Sequence, residues 1–385
     1  MRKLRSWFSL FLVCAIGLCF VADVQAAPVD APPEPPSVSA KSAILINAED
    51  GSIYFEKNAD EQMGPASTTK LMTALVALEL CDPDMTVTIP PEAVGIEGSS
   101  IYLIAGERLT VRELLYALLL SSANDAATAL AIAASGSVEN FCEKMNEKAD
   151  QLGLSHTRFE NPHGLYHDTH YTTARELATI AQEVLRVPLL RQIVATYKYT
   201  IPHDGIDGRR LLVNHNKLLR SYDGALGMKT GFTKKTGRTL VSAAEREGLT
   251  LIAVTLNAPD DWKDHTAMLD YGFASYECVT IAPVGEFEYS MPICGGTRKS
   301  VKLRNTEPLT LTLPKDHESP RCVIESNTRF AIGAVRQGQS LATVTVTCHG
   351  RSVSSPLVAT VSVPSATKER IKPLQRLLNF FKLDA

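Results

Sequence analysis

Apolar residues fall along this chain in four rhythms, and each predicts a different kind of element. The first is a solid block. After Arg2, Lys3 and Arg5, the residues from Trp7 to Ala22 are almost all apolar, and Val24-Gln25-Ala26 closes the stretch with small residues. A basic start, a short apolar run and a small-residue end form the pattern of a cleaved export signal, and the run is short for a membrane span. The expected signal peptide is 1–26. The run "PVDAPPEPPS" then makes 27–39 a stiff, extended Pro-rich linker.

The second rhythm mixes periods. "SAILINAEDGSIYFEKNAD" is two short apolar runs about Asp50-Gly51, a hairpin signal. From Thr68 to about Leu190 helical spacing dominates, and Thr173 with Glu176 three residues on predicts a capping box at one helix start. Strand patterns return in "GALGMKT", "RTLVSAAER" and "LTLIAVTLNAP", and "DDWKDHTAMLDYGFASY" predicts a closing helix. Strands at both ends of a helical centre predict one α/β domain over 40–276. The third rhythm, from Val279 to Val363, is β-branched alternation broken by Gly, Pro and Asn. It predicts a small all-β domain over 277–363.

The fourth rhythm is the tail, 366–385. On a helix starting near Pro373, Leu374, Leu377, Leu378 and Phe381 share one face, while Lys372, Gln375, Arg376 and Asn379 lie mostly on the other. That length is too short to cross a bilayer but suits its interface, so a membrane-anchor helix is expected. The alternative is a helix docked on the protein's own surface.

Composition changes this picture little. Hydrophobic residues at 45% and charged residues at 21% are ordinary for a globular protein, and a net charge of -3 gives no reason to expect a nucleic-acid partner. Beyond the signal six cysteines remain: Cys81, Cys142, Cys278, Cys294, Cys322 and Cys348. An even number in an exported chain permits disulfides, and four of the six follow residue 275, where any bridges are expected. There is no C-x-x-C.

Candidate chemistry begins with "GPASTTKLMT". Ser67 and Lys70 lie three apart at a helix start, on one side of it, where the backbone partial charge favours a developing anion. A serine hydroxyl needs a base to attack a carbonyl. A lysine can serve if burial or a second cation lowers its pKa. Taken alone the pattern is common. "LYALLLSSANDAATALA" adds Ser122-Ala123-Asn124 between two apolar helices, and "GALGMKTGFT" puts Lys229-Thr230-Gly231 on an apolar strand, with a glycine that admits close backbone approach. A second Lys-Thr-Gly, Lys235-Thr236-Gly237, follows a polar residue and reads as the turn into "RTLVSAA".

Ser-x-x-Lys, Ser-x-Asn and Lys-Thr-Gly, in that order, are the motif set of penicillin-binding proteins and serine β-lactamases. With "FENPHGL" and "GRTLVSAA" beside them, residues 40 to 363 resemble the low-molecular-mass penicillin-binding proteins that act as serine-type D-alanyl-D-alanine carboxypeptidases. The resemblance implies a β-lactamase/transpeptidase-like α/β fold with an antiparallel sheet, a β-rich second domain and an amphipathic C-terminal helix on the membrane. It further implies Ser67 as the acylated nucleophile, Lys70 as its general base and Ser122 as a proton relay. Asn124 would hold the substrate amide, Lys229 would keep Lys70 neutral, and Thr230 would bind the terminal carboxylate. Beside Gly231, the N–H groups of Ser67 and Phe232 would form the oxyanion hole. A peptide could pair with the edge strand carrying Lys229. The implied partners are peptidoglycan stem peptides, β-lactam antibiotics as inhibitors, and a membrane surface; no cofactor is implied. The expected location is the outer face of the cytoplasmic membrane. Thr236 and Ala123 depart from common family residues at positions that carry no chemistry.

The readings left beside it are a serine β-lactamase, a D,D-endopeptidase or transpeptidase, and a non-catalytic wall-binding protein. A β-lactamase would want a glutamate with an asparagine four residues on, whereas Glu160 is followed at once by Asn161. His163, His167 and His170 are close enough to suggest a metal site, but no helical spacing aligns them, and a structural or surface role is expected. Tyr102, Glu107 and Arg238 are further candidates for the cleft wall that one sequence does not promote.

Overall fold

The computed structural model describes residues 33–203, 208–326 and 328–366. The expected signal peptide, the first part of the linker and the tail beyond Ala366 lie outside the described residues. Strand β1 (Ser42–Asn47) and β2 (Ile53–Lys57) form the expected antiparallel hairpin. A 3-10 turn, Ala66–Thr69, runs directly into α1 (Lys70–Leu80). The helical spacing then breaks: β3 (Thr86–Thr88) and β4 (Arg108–Thr110) pair around a loop instead. Prolines at 83, 90 and 91 remove the donors a helix would need there.

Helix α2 (Val111–Leu120) opens on a full capping box between Thr110 and Glu113. Helices α3 (Asn124–Ser135) and α4 (Val138–Gln151) follow, separated by Gly136 in the left-handed conformation. At α5 (Ala174–Arg186) only half of the predicted box forms. Thr173 accepts from the Glu176 N–H, but the Glu176 carboxylate is drawn away to the backbone N–H of His156. Helix α6 (Pro188–Ala195), the ribbon β5 (Lys198–Pro202) and β6 (Arg209–Val213), and the single turn α7 (Leu218–Ser221) lead to three long strands. These are β7 (Ala225–Thr233), β8 (Gly237–Arg246) and β9 (Leu249–Leu256), followed by helix α8 (Asp261–Ser275).

The sheet runs β2-β1-β9-β8-β7 and every pairing in it is antiparallel. Strands β1 and β9 are buried along their whole length because both faces are covered. Ile44, Ile46, Ile252 and Val254 face a large core shared with α1 to α6. Ala43, Leu45, Leu251 and Ala253 face a smaller one with Met268 and Leu269 of α8. Period-two alternation thus sends successive apolar residues to two different cores. Strand β7 has a neighbour on one side only, which leaves it at the edge.

From Tyr276 every regular element among the described residues is a strand. β10 (Tyr276–Ala282) pairs with β13 (Leu309–Pro314). A six-stranded sheet combines β11 (Glu288–Cys294), β12 (Ser300–Asn305), β14 (Arg321–Glu325), β15 (Ala331–Ile332), β16 (Ser340–Cys348) and β17 (Arg351–Ala359), in the order β14-β16-β17-β12-β11-β15. Its alternation buries Leu303, Val344, Val346 and Leu357 in a separate core. The β16–β17 turn meets the first part of the chain through Arg351, which donates to Tyr54 Oη at 3.4 Å and stands 3.7 Å from Asp50; Tyr54 stacks on Tyr276. All six cysteines among the described residues are free thiols, and the bridges expected after residue 275 are not formed. Cys322 on β14 and Cys294 on β11, beside β15, sit near opposite edges of the sheet.

Candidate active site

Ser67 stands on the 3-10 turn just before α1, following Ala66, whose φ of 49° is an uncommon left-handed value for a residue with a Cβ. Lys70 opens α1 and is fully buried. Its Nζ lies 3.1 Å from Ser67 Oγ, 2.7 Å from Asn124 Oδ1 and 2.6 Å from the carbonyl of His163. As an ammonium the group would donate all three hydrogens. As a neutral amine it donates to the two carbonyl-type oxygens and turns its lone pair on the serine hydroxyl, which then donates to it. Burial first, and the Lys229 charge second, hold Lys70 well below the ordinary lysine range, while Asp125 opposes the shift.

The carbonyl of His163 reaches Lys70 because the 161–165 loop is clamped against the Ser67 turn. Asn161 accepts from the Gly164 N–H at 2.7 Å and donates to Leu165 O, and Thr73 Oγ1 donates to Pro162 O at 2.6 Å. Gly164 has φ 87°, and a Cβ there would lie 1.9 Å from Ala66 O, so only glycine fits. The three histidines go separate ways. His170 is buried between Thr69 Oγ1 and the Glu160 N–H, with burial pushing it down to about 4; His167 is exposed; His163 contributes its main chain.

Ser122 and Asn124 occupy the α2–α3 junction as expected. Ser122 adopts φ 58°, and Asn124, besides meeting Lys70, donates to Glu97 O. The neighbouring Asp125 is buried and gathers the loop in front of it, accepting from Ser100 Oγ at 2.6 Å and from the N–H groups of Ile101 and Leu103.

Lys229 lies on edge strand β7, buried, donating to Thr230 O at 2.8 Å, and burial pushes its ammonium down to about 7. Gly231 faces the Ser67 turn: a Cβ there would come 2.9 Å from Ser67 N and 2.3 Å from Thr239 Oγ1. Phe232, one residue on, is exposed. The second Lys-Thr-Gly forms the β7–β8 turn, where Lys235 lies over the Tyr166 ring and Thr236 bonds Thr233.

Ser67, Ser122, Thr230, Gly231 and Phe232 open on one cleft of about 420 Å³. Lys70, Asn124 and Lys229 are buried behind it. Ser99, His215, Lys217, Arg238, Asp261 and Trp262 line the rest of it. Of the three further candidates for the wall, Arg238 is there, ion-paired with buried Asp261 at 3.0 Å. Tyr102 is 83% exposed and is not among the lining residues. Glu107 is buried in an ion pair with Arg210. Sequence reasoning missed His215, Lys217, Asp261 and Trp262, which belong to no motif. It also missed the His163 carbonyl, for which no side-chain identity could speak.

The family model for D-alanyl-D-alanine carboxypeptidase matches residues 29–260. The chain is 33% identical over 329 residues to the D-alanyl-D-alanine carboxypeptidase DacF of Bacillus subtilis, covering 83% of this chain and 84% of that protein. It is 31% identical over 349 residues to DacC of Escherichia coli, another D-alanyl-D-alanine carboxypeptidase, covering 86% of each. Among solved structures, penicillin binding protein 5 from Haemophilus influenzae is similar with a TM-score of 0.68 at 29% identity, over 86% of this chain and 100% of that one. The match runs through the Ser67 turn, the α2–α3 junction and β7 together, and the chain belongs to the D-alanyl-D-alanine carboxypeptidase family of serine peptidases.

Proposed function

We propose that this protein removes the terminal D-alanine from peptidoglycan stem peptides through an acyl-serine intermediate, and that penicillins acylate the same serine. The supporting observation is the buried Lys70 amine, shared between Ser67 Oγ, Asn124 Oδ1 and the His163 carbonyl. In this reading Ser67 Oγ attacks the carbonyl carbon of the penultimate D-alanine while Lys70 takes its proton. The N–H groups of Ser67 and Phe232 hold the oxyanion, a geometry favoured by the close passage of Gly231 beside Ser67 N. The C–N bond then breaks, the departing amine receives a proton by way of Ser122, and D-alanine leaves. Water, activated by Lys70, cleaves the ester and restores Ser67. Thr230 and the positive potential of Lys229 receive the terminal carboxylate, and Asn124 orients the amide of the acyl part.

The finer organisation belongs to the same proposal. Residues 1–26 direct export and 27–39 are a linker. Residues 40–276 are the catalytic domain, and 277–363 are a β-rich domain carrying it. The tail 366–385 lies in the outer surface of the cytoplasmic membrane. Mass spectrometry of the mature protein, first with a penicillin and then with a stem pentapeptide, tests the chemistry. One penicillin should attach at Ser67, the pentapeptide should lose one D-alanine, and Ser67→Ala should do neither. A label on Ser122, or continued release by the variant, overturns the assignment.

A further inference from the structure

The six-stranded sheet has two ends, and they differ in kind. One end, the β16–β17 turn, meets the first part of the chain through Arg351, beside Tyr54 and Asp50. At the other end three loops come together: 295–299 between β11 and β12, 328–339 on either side of β15, and 360–366 after β17. Backbone bonds lace them into one surface. Gly333 donates to Cys294 O, Thr297 to Pro364 O, Val335 and Val363 exchange bonds, and Ala366 donates to Gly295 O.

In a protein of net charge -3 these three loops contain no Asp or Glu; the carboxylates nearest in sequence are Glu325, at the end of β14, and Glu369, beyond the described residues. They carry Arg298, Lys299, Arg329 and Arg336, all exposed and in no ion pair among the described residues. Among those cations sit exposed apolar side chains: Ile332 is 73% exposed, and Phe330 and Val361 are also open. Large apolar residues outside a core, mixed with unopposed cations, are the chemistry of an anionic bilayer interface. The chain also leaves this surface at Ala366, and the sequence that follows, "TKERIKPLQRLLNFFKLDA", repeats the same mixture of basic and apolar residues.

We propose that this end of the sheet is itself a membrane-contact surface. Phe330 and Ile332 enter the headgroup layer of an anionic bilayer, and Arg298, Lys299, Arg329 and Arg336 pair with lipid phosphates. The contact is separate from whatever the tail does and does not rest on the catalytic reading. It sets the sheet upright on the bilayer, with the nine residues of β16 spanning roughly 30 Å between the lipid and the part of the chain that holds the cleft.

The cysteines supply the test. Cys294, on β11 beside Ile332, and Cys322, near the other sheet edge, are both exposed thiols. The full mature chain is treated with a soluble maleimide alone, with phosphatidylglycerol vesicles and with phosphatidylcholine vesicles, and each cysteine is followed by peptide mass spectrometry. Phosphatidylglycerol should slow labelling of Cys294 at least fivefold and leave Cys322 unchanged, and phosphatidylcholine should protect neither. If Cys294 reacts at its free rate on phosphatidylglycerol vesicles, or if both thiols slow alike, the tail alone holds the protein and the proposal fails. Each basic side chain near an anionic surface contributes about fivefold in partitioning, from ~1 kcal/mol apiece. Replacing all four by glutamine in the full chain should therefore weaken sedimentation with phosphatidylglycerol vesicles at least tenfold. A change below twofold refutes the charge assignment. Weakened binding to wall sacculi with vesicle binding intact would assign the surface to the wall polymer and refute the membrane contact.

Discussion

Gly231 is where the architecture of the cleft can be tested most sharply. Its cross-strand partner is Thr239, and a methyl group at Gly231 would meet Thr239 Oγ1 at 2.3 Å and Ser67 N at 2.9 Å. The first contact resists relief, because Thr239 is buried and its hydroxyl donates to Pro65 O at 3.0 Å. Rotating it away orphans a buried polar group, at about 1–3 kcal/mol. The second contact is with main chain and cannot rotate at all. Ordinary contact begins near 3.4 Å, so β7 must withdraw from the nucleophile turn by about 0.5 Å or more. As an edge strand it can do so without unfolding the sheet. A displacement of ~1 Å between reacting groups costs roughly a hundredfold in rate. Gly231→Ala should therefore reduce the second-order rate of penicillin acylation by about ten- to a hundredfold, while overpacking lowers stability by only ~1–3 kcal/mol. Rapid-quench labelling and thermal unfolding of the same preparation separate the two effects. Adding Thr239→Ala should recover part of the stability and little of the rate, since the clash with Ser67 N remains. Acylation within threefold of the parent protein would show that β7 does not set the position of Ser67.

Four further outcomes follow from the lysines and the tail. Lys229→Ala should cut acylation by orders of magnitude, whereas Lys235→Ala, on the exposed β7–β8 turn, should change it slightly; the reverse result would move the functional strand motif to the turn. Lys229 carries a second signature in stability. With its pKa down at about 7 against an ordinary lysine value of 10.5, the unfolded chain binds more protons between those values, so native stability rises with pH across that window. At ~1.4 kcal/mol per pKa unit, Lys229→Met should be more stable than the parent at pH 7 by up to a few kcal/mol, with the gain vanishing near pH 10.5 in denaturant titrations. For the parent enzyme, acylation should rise as Lys70 deprotonates, at a pH well below the ordinary lysine value, and KM for a carboxylate-bearing peptide should worsen above about pH 7 as Lys229 loses its charge. A flat KM from pH 6 to 9 would remove Lys229 from carboxylate recognition. Deleting residues 366–385 should weaken co-sedimentation with liposomes and leave hydrolysis of a small D-Ala-D-Ala peptide intact; equal partitioning of the two forms would mean the tail adds nothing to membrane binding.

The parts of the site that depend on side-chain identity in a local context were legible in advance. Ser67 and Lys70 needed only a helix start, Ser122 and Asn124 a helix junction, and Lys229 an apolar strand. The hairpin about Asp50-Gly51 and the alternation after residue 279 were equally local. What escaped was tertiary. Asp125 looks like any acid in the first turn of a helix, yet it is the anchor of the 100–103 loop. Glu176 had the right spacing for a capping box, but a better-placed donor at His156 claimed it. Helical periodicity carried across 81–110 because Ile101 and Leu103 are buried, though they are buried as loop residues hung on Asp125. The cysteine count suggested bridges in a region where the sheet keeps Cys294 and Cys322 apart.

The middle of the catalytic sheet has a consequence for how the protein is made. Strands β1 and β9 lie side by side, Ser42 opposite Leu256, so the first and last strands of the sheet in sequence are neighbours in space. Closing so long a loop is entropically unfavourable and makes the pairing slow. Until residue 256 is available, β1 has only β2 beside it, and β8 and β7 have no sheet to join. Because β7 brings Lys229 and Gly231 to a serine some 160 residues earlier, a chain emerging from its N-terminus holds a complete Ser67-Lys70 pair long before it holds a cleft. The cleft is therefore complete only once β9 gives β8 and β7 a sheet to join, and Ser67 and Lys70 alone do not make it.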